Sequence, residues 1–129
     1  MNSMKPLLVA ALFFILLGVV LGAFGAHALK AVLTPAQSIS FETAVRYQNS
    51  MSIGVLALLA WAAATSNVRL VLPAKIVLMG IPLFSGSIYL LTALDPASSF
   101  RTFIVILTPI GGLFFVVGWL LAIWRVVRN

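Results

Sequence analysis

Residues 6–29 read PLLVAALFFILLGVVLGAFGAHAL, an apolar run without a charge, bounded by Lys5 and Lys30. A helix rises about 1.5 Å per residue and bilayer hydrocarbon is about 30 Å thick, so roughly 20 such residues cross it. The run is long enough to span. Further apolar stretches follow at residues 47–64, 70–94 and 103–124, separated by short polar breaks that hold nearly every charge. With 63% hydrophobic and 8% charged residues, a water-soluble fold of 129 residues would lack the polar surface to cover itself. The expected fold is all-α. It is an integral membrane bundle of four transmembrane helices, with a short interfacial helix between the first and second, forming a single domain over residues 1–129.

A rival reading of the first run is a secretory signal, with Lys5 as its basic region and Ala26-His27-Ala28 as a small-x-small cleavage site. The run is longer than the usual apolar core of about 7 to 15 residues, and further spans follow, which favours a membrane helix. The interfacial helix is expected in the polar stretch at residues 31–50, where Thr34-Pro35 reads as an N-cap and first-turn proline. Thr65-Ser66-Asn67 and Asp95-Pro96-Ala97-Ser98-Ser99 read as turns.

Four crossings place both termini and the loop around Arg69 on one side, together with Lys5, Lys75, Arg125 and Arg128. The other side holds Lys30, Arg46 and Arg101, with Glu42 and Asp95. The basic excess points to termini inside, in a bacterial cytoplasmic (inner) membrane. Trp119 and Trp124 add interfacial trim. The net charge of +6 is scattered along the chain, without the run of basic residues and interleaved aromatics that a nucleic-acid surface needs. No nucleic-acid partner is expected; the bilayer is, with other membrane proteins or a second copy as further contacts. Absence of cysteine excludes disulfides, thiolate metal sites and a thiol nucleophile.

Gly18, Gly22 and Ala26 recur every four residues with Gly25 nearby, a strip on which another helix can approach closely. His27, the one histidine, lies on a different face at the helix end. It could titrate near neutral pH or bind a metal or haem, but a lone imidazole builds no metal site. The third span carries Pro82, Ser85, Gly86, Ser87, Tyr89 and Thr92, and the fourth carries Thr108-Pro109 and Gly111-Gly112. Serines near a proline can re-satisfy the carbonyls it frees, which makes these packing features. Broken helices lining a small polar site, as in transporters, are the alternative. One histidine and two acids in separate loops supply neither a catalytic triad nor a carboxylate pair, so no catalytic residue, enzyme activity or cofactor is expected.

Read together, residues 22–30 (GAFGAHALK), Arg46-Tyr47-Gln48, residues 84–90 (FSGSIYL), residues 108–112 (TPIGG) and Gly118-Trp119 resemble the membrane family catalogued as domain of unknown function 423. The resemblance covers nearly the whole chain and implies a small helical membrane protein, similar also to a short eukaryotic transmembrane protein. Where that family usually reads Tyr-Gln-x-x-His, this chain has Tyr47-Gln48-Asn49-Ser50-Met51. A haem, copper or quinone site would centre on His27 with Tyr47 or Met51. Loss of the second histidine favours a structural role for His27. The expected function is a non-catalytic membrane component acting through protein or lipid contacts. An oligomeric small transporter or channel, lined by Ser85, Ser87, Tyr89 and Thr108, is the first alternative.

Overall fold

The computed structural model describes residues 4–128, all of whose regular elements are helical. Helix α1 (Lys5–Ala26) opens with Pro6 in its first turn, where the missing amide proton costs nothing. It is apolar on every side, yet only Ala11 and Gly18 are buried within it. Leu12, Phe13, Leu16, Val19 and Phe24 are left exposed, which suits a lipid solvent and no other.

Helix α2 (Pro35–Thr65) starts at a capping box: the Thr34 hydroxyl accepts from the Gln37 amide and the Gln37 side chain accepts from the Thr34 amide. It then runs unbroken for 31 residues, about 46 Å at helical rise. The expected separate interfacial helix is therefore not an element of its own. No breaker follows Pro35, and within the stretch expected at the surface Gln48 is only 1% exposed. Glu42 and Arg46 are both exposed on this helix, where a pair contributes little. The helix ends at Ser66, which takes a left-handed φ of 55°.

A short 3₁₀ turn (Val68–Leu70) leads into α3 (Val71–Ile81), a π-helical turn (Pro82–Gly86) and α4 (Ser87–Ala93). Together they make one 26-residue rod, Val68–Ala93. Pro82 has no amide to donate, and the chain absorbs the gap by widening one turn rather than breaking. Helix α5 (Arg101–Val127) continues through Pro109 without a break. Three helical stretches, α1, the α3–α4 rod and α5, are long and apolar enough to cross a membrane.

Helix α1 packs chiefly on α2, and α3 on α5. The core lies between α2, α3 and α5, built from residues such as Val55, Leu59, Ala62, Leu70, Ala74, Val77, Ile81 and Phe115. In lipid this core is held by close contact and interhelical hydrogen bonds rather than by expulsion of water.

Glycines set that contact. On α1, a Cβ at Gly18 would land on the Asn49 carboxamide, at Gly22 it would lie 3.3 Å from Val45, and at Gly25 it would lie 2.8 Å from the Phe41 ring. Phe41, Val45 and Asn49 recur at four-residue spacing on α2, antiparallel to the glycines they meet. The α3–α5 crossing is tighter: a Cβ on Gly111 would strike the backbone of Phe84, and one on Gly118 would come 2.5 Å from Val77.

Candidate functional site

The polar side chains of the bundle meet in a seam around Gln48. Its Nε2 donates to the Phe14 carbonyl oxygen of α1 at 2.7 Å, and its Oε1 accepts from the Tyr89 hydroxyl of α4 at 2.9 Å. One turn on, the Ser52 hydroxyl donates to the Gln48 carbonyl at 2.7 Å. Asn49 fills the space left by Gly18, and its Oδ1 is buried with no hydrogen-bond donor against it.

The widened turn at Pro82 aims two serines inward. Ser85 is fully buried and donates to the Ala44 carbonyl of α2 at 2.7 Å. Ser87 lies 2.8 Å from the Phe84 carbonyl and 2.6 Å from the Thr108 hydroxyl of α5. Near the other end of the seam the Trp119 indole donates to the Met51 sulfur at 3.1 Å, and its ring lies on Gly54. Tyr47, Phe84 and Phe115 form an aromatic cluster between these points, with centroids 4.8 to 6.2 Å apart.

The structure thus places Gln48, Tyr89, Ser85, Ser87 and Thr108 in three separate sets of interior hydrogen bonds, Gln48 with Tyr89 and Phe14, Ser85 with Ala44, and Ser87 with Thr108, which between them link all four rods. It does not bring His27, Tyr47 and Met51 together. His27 is exposed at the C-cap of α1, where its backbone amide donates to Ala23. Met51 sits two residues past Asn49, which faces Gly18. His27 is nine residues beyond that level, about 14 Å along the axis. Among the described residues no three His, Cys, Asp or Glu gather as a metal site would require. Ala26 is exposed and, with Gly22 and Gly25, borders a surface recess shared with Phe41, Glu42 and Arg46. Pro109 is exposed, while Gly86 and Gly112 stand in open or ordinary contact.

Three participants escape sequence reasoning. Asn49 and Ser52 sit at one- and four-residue steps from Gln48, a polar cluster inside an otherwise alanine-rich run that could have marked them as inward-facing. Arg101 is the third: its guanidinium donates to the carbonyls of Leu91 and Leu94, closing the end of α4, and it borders a recess of about 450 Å³ with Ser40, Thr43, Thr92 and Thr108. No spacing rule in the sequence forecasts that cap.

Apolar helices with exposed apolar sides, tied together internally by hydrogen bonds, define a helical membrane protein. The chain belongs to the family described as "Protein of unknown function (DUF423)", whose match covers residues 21–112. It is 36% identical over 121 residues to a UPF0382 membrane protein of Staphylococcus saprophyticus, covering 93% of this chain and 95% of that one. It is 40% identical over 102 residues to a UPF0382 membrane protein of Haemophilus influenzae, covering 79% and 77%. It is 30% identical over 110 residues to the UPF0382 inner membrane protein YgdD of Escherichia coli, covering 85% and 80%. No solved structure matches the chain.

Proposed function

We propose that the protein is a non-catalytic component of a bacterial inner membrane, crossing it four times with both termini in the cytoplasm, and that it acts through contacts with lipids or other membrane proteins. One observation carries this reading. The polar side chains expected to line a path, Ser85, Ser87, Tyr89 and Thr108, are each hydrogen-bonded within the chain, as is Gln48 between them. Groups spent on joining helices are not free to replace the hydration shell of a passing solute. Along the spans the exposed surface is mostly apolar, suited to lipid or to another helix. The fourth crossing falls to α2, whose length of about 46 Å exceeds the hydrocarbon and whose buried Gln48 and Ser52 are hidden from lipid. The printed name of the Escherichia coli relative supports the inner membrane.

The absence of native cysteine makes a clean test possible. Ser99→Cys should react with an impermeant maleimide on spheroplasts, whereas Thr65→Cys should react only after permeabilisation. Proteoliposomes loaded with a panel of ions and small solutes should show no flux above empty vesicles. Labelling of both positions from one side would overturn the topology, and a flux abolished by Ser85→Leu would overturn the non-transport reading.

A further inference from the structure

Three of the eight basic residues, which look scattered in the sequence, are gathered by the fold. At the end of the bundle where α1 begins and α5 finishes, Arg69 from the α2–α3 turn meets Arg125 and Arg128 from the end of α5, and with Trp124 they line a recess of about 350 Å³. An Arg125 guanidinium nitrogen donates to the Arg69 carbonyl, fixing the two elements together, and the Arg128 guanidinium lies 5.1 Å over the Trp124 ring. The chain's two acidic residues, Glu42 and Asp95, are elsewhere: Glu42 lies 23 residues before the end of α2, about 35 Å away, and Asp95 follows α4 at that same far end. Three guanidinium groups sharing one recess without an Asp or Glu repel each other unless an anion joins them.

We infer that this recess is a binding site for a phosphate-bearing anion, presented by the headgroup of an anionic phospholipid. Guanidinium forks suit phosphate oxygens, which accept two parallel N–H donors. The lipid source follows from what adjoins the recess. Leu113, Val117, Leu120, Trp124 and Arg128 recur at three- and four-residue steps on α5, the first three 60%, 45% and 60% exposed. An exposed apolar stripe therefore runs from the hydrocarbon up to the arginines, so one molecule can lay an acyl chain on the stripe and its phosphate in the recess. A soluble phosphate would use only the second half. The inference rests on the proposed topology, which puts this end at the cytoplasmic leaflet.

Native mass spectrometry of the full chain in detergent, titrated with phosphatidylglycerol, phosphatidylcholine or inorganic phosphate, tests it. One phosphatidylglycerol should be retained per chain and neither other probe should displace it. Arg69→Gln and Arg128→Gln should each weaken retention roughly fivefold, and the two together roughly twenty-fivefold. Lys75→Gln, which removes a charge at the same end outside the recess, should leave it within about twofold. Arg125→Gln also breaks the link to Arg69, so the other two variants carry the test if it fails to fold. Equal retention of phosphatidylcholine, equal effects of Lys75→Gln and Arg128→Gln, or competition by inorganic phosphate at lipid-like concentrations would each overturn the assignment. None of these outcomes bears on maleimide labelling or solute flux, so the site can fail while the functional reading stands.

Discussion

The carboxamide of Gln48, on α2, donates to the carbonyl oxygen of Phe14, on α1, while its other end accepts from Tyr89 on α4. One buried side chain thus joins three helices. Interhelical hydrogen bonds in lipid average about 0.6 kcal/mol and reach about 1.7. Gln48→Leu should lower stability by about 1 to 2 kcal/mol and Tyr89→Phe by about 0.6, with the double variant costing less than their sum because both remove the same bond. Unfolding in mixed detergent micelles, followed by circular dichroism, measures all three. Strict additivity would show that the observed bond contributes nothing.

Two adjacent glycines should behave in opposite ways. A Cβ at Gly111 meets the Phe84 backbone, which cannot swing aside, whereas a Cβ at Gly112 finds only ring carbons at 3.8 Å. Gly111→Ala should destabilise by about 1 to 3 kcal/mol through overpacking. Gly112→Ala should be neutral or slightly stabilising, since alanine is the better helix residue. Thermal midpoints in one detergent decide it, and equal losses would mean that the α3–α5 crossing is looser than described.

The Met51 sulfur accepts the Trp119 indole proton. Met51→His keeps an acceptor at that place, while Met51→Leu leaves the indole without one. The leucine variant should lose about 1 kcal/mol and the histidine variant less than half of that. Tryptophan emission should shift only in the former. Indistinguishable variants would deny the Trp119–Met51 bond any energetic part.

His27→Ala should change stability by no more than about 0.5 kcal/mol, because the side chain is exposed and the cap is made by the backbone. The purified wild-type protein should show no visible absorption band. A band lost in His27→Ala would establish a bound chromophore and reverse this view of the residue.

Hydrophobic length made the apolar rods legible in the sequence, and Thr34-Pro35 made the start of α2 legible, because both signals are local. The continuity of α2 was not legible. Polarity between residues 31 and 50 reads the same whether it faces water or other helices, and only packing shows that Gln48 faces inward. The four-residue spacing of Gly18 and Gly22 is plain in the sequence, but nothing in α1 names Asn49 and Val45 as the residues they meet. Prolines leave a similar ambiguity. Pro82 and Pro109 each remove one donor, yet the first widens a turn and the second is carried within α5, since a missing hydrogen bond does not say how the chain will adjust. The recess of Arg69, Arg125 and Arg128 joins residues up to 59 positions apart, beyond any local pattern.

The wide turn at Pro82–Gly86 also sets an angle. One additional residue advances the winding by about 100°, so the chain after Gly86 is out of phase with the chain before Pro82. Ala74, Val77, Leu78 and Ile81 keep one bearing, while Ser87 and Tyr89, about 200° apart on α4, face Thr108 and Gln48 respectively. Excising a single amino acid from this turn would restore an ordinary helical pitch and swing Ser87 and Tyr89 away from Thr108 and Gln48, unfastening two neighbours without altering either of them. The rod therefore works as a key cut on two sides, and its one irregular notch is what lets both sides fit at once.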